Sequence, residues 1–118
     1  MEFSDNKPIY VQIVDYFCDQ ILNKKWKAED RIPSVREVAV KMEVNPNTAM
    51  RAFHYLQEEG VLYNQRGVGY FVSQGAYDKV KTLKREEFIK QKLPEFFRDM
   101  KQLGFTCAEL EKLYEAGE

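Results

Sequence analysis

No run of about 18 apolar residues occurs in the chain, so no membrane span is expected. The first residues, MEFSDNKP, lack the basic and apolar regions of a signal peptide. Cysteine is scarce. Cys18 and Cys107 stand far apart and form no C-x-x-C pair, so both are expected to be reduced, partly buried thiols of a cytoplasmic protein, with a disulfide between them the weaker reading. The single histidine, His54, has no cysteine, serine or paired carboxylate beside it in a motif, and no metal-ligand spacing appears anywhere. Glu58-Glu59 reads as a solvated pair at a helix end. Gly67-Val68-Gly69 lacks the further glycine and the βαβ setting of a dinucleotide site. No repeat or low-complexity tract is present. The expectation is a protein that is not an enzyme, with no cofactor and no metal.

An excess of one charge is also missing. The chain carries 18 Lys+Arg against 19 Asp+Glu, a formal net charge of −1. The halves do not separate: residues 1–75 hold nine basic and ten acidic side chains, residues 76–118 nine of each. Bulk charge therefore does not point to nucleic acid. Any such binding must rest on local placement and weaken steeply with salt. What the chain does have is 118 residues, 44% hydrophobic and 31% charged, enough for one small globular domain and an appendage.

The stretch from Arg31 to Val72 organises the rest. Ser34 and Glu37 have the S-x-x-E spacing of a capping box. Val35, Val38, Ala39 and Met42 follow as one helical stripe, with Arg36 and Lys41 off it. Glu43-Val44-Asn45 is the joint. Asn45 is a good N-cap and Pro46 suits the first helical position of a second helix. That helix buries Ala49, Ala52, Phe53 and Leu56 and presents Asn47, Thr48, Met50, Arg51, His54 and Tyr55, until Gly60 ends it. Two short helices on a three-residue joint fit a helix-turn-helix, or an ordinary helical hairpin with a solvated face.

The following residues favour the first. Val61-Leu62-Tyr63 and Tyr70-Phe71-Val72 read as strands around the turn Asn64–Gly69, with Arg66 at its tip. Such a tip can enter a minor groove, and its glycines let the backbone approach phosphate. Alone, the hairpin would read as a cover for a small core. After a helix pair it reads as a wing.

These residues resemble the GntR family of bacterial transcription regulators. The resemblance lies in Ile32-Pro33-Ser34, Arg36-Glu37-Val38-Ala39, Thr48-Ala49, Glu59-Gly60-Val61 and Gly67-Val68-Gly69-Tyr70-Phe71-Val72. Pro8-Ile9-Tyr10-Val11-Gln12-Ile13, the joint Val44–Thr48 and the short helical tail resemble the YtrA-type subgroup. The resemblance implies DNA contacts from Arg36, Thr48, Arg66, Gly67 and Gly69. Asn45-Pro46 and Met50 replace the serine-arginine pair and the arginine of many members, so base-reading arginines do not transfer there. Asn47 and Arg51 are added from helix geometry, with Arg51 also able to reach phosphate or pair with Glu58. Lys24 and Glu29 stand where the family usually has glycines.

Upstream, residues 1–6 are expected to fray. Pro8 should occupy the first position of a helix carrying Ile9, Ile13, Val14, Phe17, Ile21 and Leu22 on one face. Tyr10 and Gln12 are placed to touch phosphate, but packing and solvent are the favoured readings. Asn23–Arg31 reads as a polar loop pinned by Trp26. Downstream, Ser73-Gln74-Gly75 is a linker, so the division falls at 1–75 and 76–118. The tail carries apolar residues at helical spacing, interrupted by Pro94, which should kink or divide the helix near Gln91–Leu93. Gly104 stops it. Thr106 and Glu109 open a last helix.

The tail cannot bury its own aromatics. Phe88, Leu93, Phe96, Phe97 and Met100 are therefore assigned to a dimer interface with a symmetric copy, or else to packing on the first helix. The fold class is mostly α with a small β-hairpin: a winged helix-turn-helix with a two-helix tail. The function expected is a homodimeric, sequence-specific DNA-binding regulator, more readily a repressor, on a palindromic operator of double-stranded DNA. A protein-contact module is the alternative. The tail is too short to enclose a pocket of about 300 Å³, which leaves a cleft at the dimer interface open to an unknown small-molecule effector.

Overall fold

The computed structural model of the chain describes residue 3 and residues 6–117, so most of the fraying expected for residues 1–6 lies outside the described residues. The elements run α1 (Ile9–Leu22), α2 (Val35–Met42), α3 (Pro46–Glu58), β1 (Leu62–Gln65), β2 (Gly69–Val72), α4 (Ala76–Glu87), a wide π turn (Phe88–Lys92), α5 (Leu93–Leu103) and α6 (Cys107–Ala116). They form two compact units, the first reaching Thr82 and the second starting at Leu83.

The first unit is built around α3. Ala49, Ala52, Phe53 and Leu56 are all fully buried, and α3 packs against both α1 and α2. From α1, Ile13, Val14, Phe17, Cys18 and Ile21 are buried, while Ile9 at the edge of the expected stripe stays 44% exposed. Phe17 meets Phe53 edge to face at 5.2 Å, and Phe53 meets Tyr70 of the hairpin at 4.7 Å. Trp26 packs on Phe17 at 4.9 Å, so it pins the loop as its type predicts. These four rings tie helix, loop and wing into one core. Pro8 stands one place earlier than expected, as the N-cap: its ψ of 147° is extended, and its carbonyl accepts from the Val11 and Gln12 N–H groups.

Both helix starts in the central stretch are capped by their own side chains. Ser34 Oγ accepts from the Glu37 N–H at 3.1 Å, and the Ser34 N–H donates to the Glu37 carboxylate at 2.9 Å. Asn45 Oδ1 accepts from the Asn47 N–H at 2.8 Å, ahead of Pro46. The backbone hydrogen bond from Ser34 holds the Glu37 carboxyl below its ordinary pKa, aided by the Ser34 side chain and the Arg31 charge, against a smaller opposing effect of burial. A lowered carboxyl pKa means that this contribution is complete above the ordinary carboxylate range. It is lost as pH falls through the lowered value.

α2 ends with Glu43 in the left-handed region, at φ 56° and ψ 49°. A side chain there costs about 1–2 kcal/mol of local strain. Glycine would relieve it, against about 0.5–1 kcal/mol of extra chain entropy lost on folding. Glu43→Gly is therefore expected to stabilise the first unit by roughly 0.5–1 kcal/mol and raise the thermal midpoint by roughly 2–8 °C. A calorimetric scan checks this, and a lowered midpoint contradicts it.

The hairpin pairs Leu62 with Val72 and Gln65 with Gly69, which leaves Arg66-Gly67-Val68 as its tip, shorter than the six-residue turn expected. The segment before α2 is not a plain loop. Arg31 bridges Phe71, the Ile32 N–H donates to the Tyr70 carbonyl, and the Val72 N–H donates to the Asp30 carbonyl. This short third lane closes one edge of β2. On it, Glu29 takes φ 72° and its carboxylate accepts from the Tyr63 hydroxyl and from Gln74 Nε2. The hydrogen bond to Glu29, followed by burial, raises the Tyr63 pKa.

The first turns of α4 belong to this unit, beyond the linker at 73–75. Ala76 and Val80 are buried, and Lys79 donates to the Gly60 carbonyl.

In the second unit the helix divides between Lys92 and Leu93, within the span expected from Pro94, and no loop opens between the parts. The Pro94 ring would crowd the carbonyl four residues back, and the widened turn at Phe88–Lys92 lies where that conflict arises. Gly104 ends α5 at φ 78°, and Thr106 with Glu109 forms the second capping box, as their spacing predicts. Cys18 is buried but Cys107 is exposed, against the expectation that both are partly buried, and both are free thiols. Cys107 lies at the start of α6, none of whose residues is buried.

Candidate nucleic-acid interface

The exposed side of α3 is fixed by the buried one. With Ala49, Ala52, Phe53 and Leu56 inward, Asn47, Arg51, His54 and Tyr55 face outward and are exposed, while Thr48 and Met50 are half-buried. Asn47 and Arg51 are four residues apart and therefore share one face of the helix. Pro46 has no N–H, the Asn47 amide is taken by Asn45 Oδ1 and the Thr48 amide donates to the Asn45 carbonyl, so this end offers phosphate the helix dipole and its side chains rather than free amides. Thr48 sits there, next to Asn47.

Arg36 and Lys41 are exposed on α2 and carry no ion pair among the described residues. Arg51 does not pair with Glu58. Instead its guanidinium lies over the Tyr10 ring of α1, 4.0 Å from the centroid.

At the wing, Arg66, Gly67 and Val68 are exposed. Gly67 has φ 79° and open space where a Cβ would stand, so its requirement is conformational, not steric. Gly69 differs: a Cβ there would lie 3.0 Å from Arg31 Nε. Arg31 thus lies along the wing, although its sequence context marks it only as the end of a loop. The signal for it was the pairing of residues 29–32 with β2, which is not local in sequence. The structure therefore collects basic side chains from α2, α3, the third lane and the wing tip on one unit whose formal charge is otherwise balanced. Glu58 and Glu59 are exposed at the opposite end of α3.

Three helices with a short joint between the second and third, followed directly by an antiparallel hairpin, define a winged helix-turn-helix DNA-binding regulator. Sequence comparison then narrows the class. The chain belongs to the bacterial regulatory proteins of the gntR family, whose profile matches residues 9–72. It is 36% identical over 109 residues to YhcF of Bacillus subtilis (strain 168), an uncharacterised HTH-type transcriptional regulator, covering 92% of this chain and 88% of that protein. It is also 36% identical over 108 residues to the HTH-type transcriptional repressor YtrA of the same organism, covering 92% and 80% respectively. Both similarities extend through the tail, which places the chain in the YtrA-type subgroup. Among solved structures, a protein of Bacteroides thetaiotaomicron assigned to the GntR family as a transcriptional regulator superimposes with a TM-score of 0.79. It is 46% identical, covering 92% of this chain and 95% of that one. Among the described residues no helix is long and apolar enough to cross a membrane.

Proposed function

We propose that the chain is a cytoplasmic homodimeric repressor without catalytic activity, which reads a palindromic operator through α3 and the wing. The observation that carries the dimer is the second unit's surface. From Leu83 onward no described residue is buried. Phe88, Phe96 and Phe97 are 49%, 47% and 46% exposed, and Leu93 and Met100 only half-buried. An apolar face of this kind is unfavourable in water and marks an interface. A second copy covers it symmetrically. In this reading residues 1–75 hold the DNA-binding parts and residues 76–118 the dimerising ones, although Ala76 and Val80 are buried within the first unit. Repression is favoured because a short dimer blocks a promoter without a further domain, and the relative YtrA is named a repressor. A cleft of the dimer interface is left for a small-molecule effector.

A two-fold dimer sets its α3 helices about 34 Å apart or at a related spacing, so the operator is expected to consist of two symmetric half-sites. Selection of binding sites from random duplexes, followed by footprinting, tests this. A footprint over a single asymmetric half-site contradicts it.

Within each half-site, Asn47 and Arg51 are assigned to bases, Arg36 and Thr48 to phosphate, and Arg66 with Gly67 and Gly69 to the adjacent minor groove. Arg31, lying along Gly69, is added to the phosphate contacts. Arg36→Ala and Arg31→Ala are each expected to weaken operator and scrambled DNA alike. Each should reduce the slope of log K against log[salt] by about one unit. A salt series on both duplexes checks this, and an unchanged slope removes the residue from the phosphate set.

A further inference from the structure

Tyr10 is the second residue of α1 and half-buried, and Arg51 is the sixth residue of α3. Their contact, at 4.0 Å from guanidinium carbon to ring centroid, joins two helices that otherwise meet through apolar side chains. Nothing else among the described residues holds the Arg51 head group: it has no hydrogen bond and no ion pair there. Asn47, one turn earlier on the same face, has its backbone amide fixed by the Asn45 cap.

We infer that Tyr10 is a positioning residue for base readout, holding the Arg51 guanidinium ready beside Asn47 before DNA arrives. A free arginine side chain loses rotamer freedom when it is ordered on binding. A cation–π contact restrains the side chain through the face of the ring. It uses none of the five N–H donors, which stay available for the O6 and N7 acceptors of guanine. An ion pair with Glu58 would restrain the same side chain but occupy those donors. The inference rests on the base-reading role proposed for Arg51. It gives Tyr10, whose sequence context reads as simple packing, a part in specificity without touching DNA.

The test uses the full chain and compares binding to the selected operator with binding to a scrambled duplex. The variants are Tyr10→Leu, Tyr10→Phe, Arg51→Ala and the double Tyr10→Leu/Arg51→Ala, each with its thermal midpoint. Tyr10→Leu is expected to lower the operator-over-scrambled ratio by roughly 2–5-fold, the size of an exposed cation–π contact. Tyr10→Phe keeps the ring and should keep the ratio. In the Arg51→Ala background Tyr10→Leu should change the ratio no further. Tyr10→Met, which fills the space with a flexible apolar chain, carries the same comparison where Tyr10→Leu does not fold. A ratio unchanged by Tyr10→Leu beside a selective loss in Arg51→Ala overturns the positioning role alone. Tighter operator binding by Tyr10→Leu also overturns it, since the ring would then be holding Arg51 away from DNA. Equal losses on both duplexes in Arg51→Ala instead overturn the base-reading assignment.

Discussion

Replacing Phe96 and Phe97 together by aspartate is expected to turn the protein into a monomer and weaken operator binding by about 10²–10⁴-fold, the range that linking two binding modules provides. Both rings are nearly half exposed and lie 6.1 Å apart, so the substitution disturbs no core of the single chain. Each monomer would keep α3 and the wing, and with them its contacts to one half-site. What it loses is the second half-site, bound at high effective concentration. Light scattering at micromolar protein and a binding curve on the two-half-site operator check the two parts. A wild-type chain that scatters as a monomer, or a double variant that binds as tightly as wild type, contradicts the proposed dimer.

The second large effect is expected at Phe53. Its ring is fully buried in α3 and meets Phe17 and Tyr70, so it joins the first helix to the wing. Phe53→Ala removes those contacts and leaves a cavity, which typically destabilises by about 3–5 kcal/mol. Small domains have about 5–15 kcal/mol in total, so the variant should melt far below the wild type and lose DNA binding with its fold. Denaturant titration measures it directly. A loss under 1 kcal/mol would mean that the three-ring cluster is not the centre of the core.

The contrast between these sites and the rest explains what sequence could reveal. The helix-turn-helix was legible because its signals are local. The serine and glutamate of the capping box stand three residues apart, Asn45-Pro46 marks a helix start, and the α3 stripe has one period. The same holds for Gly104 and for the Thr106–Glu109 box. The lane formed by residues 29–32 was not legible, because its partners Tyr70, Phe71 and Val72 lie about forty residues away and neither strand pattern alone announces the pairing. For the same reason the sequence marks Arg31 as the end of a loop and not as a wing residue.

The role of Tyr10 is not legible, because nothing in the sequence places it beside Arg51. Pro94 was expected to kink or divide its helix. The division falls there, between Lys92 and Leu93; its form, a wide turn at Phe88–Lys92, is not legible because it depends on where the helix can take an extra residue. The burial of Ala76 and Val80 shows the limit of reading boundaries from composition: the linker at 73–75 is a real turn, but the core continues past it.

Base readout by α3 is tested by a single set of titrations. Wild type, Asn47→Ala and Arg51→Ala are titrated onto the operator and a scrambled duplex of equal length across a salt series. Each substitution is expected to weaken operator binding by roughly 1–3 kcal/mol, relax preference at particular base pairs, and leave the scrambled duplex little changed. Equal losses on both duplexes, or no loss on either, would contradict it.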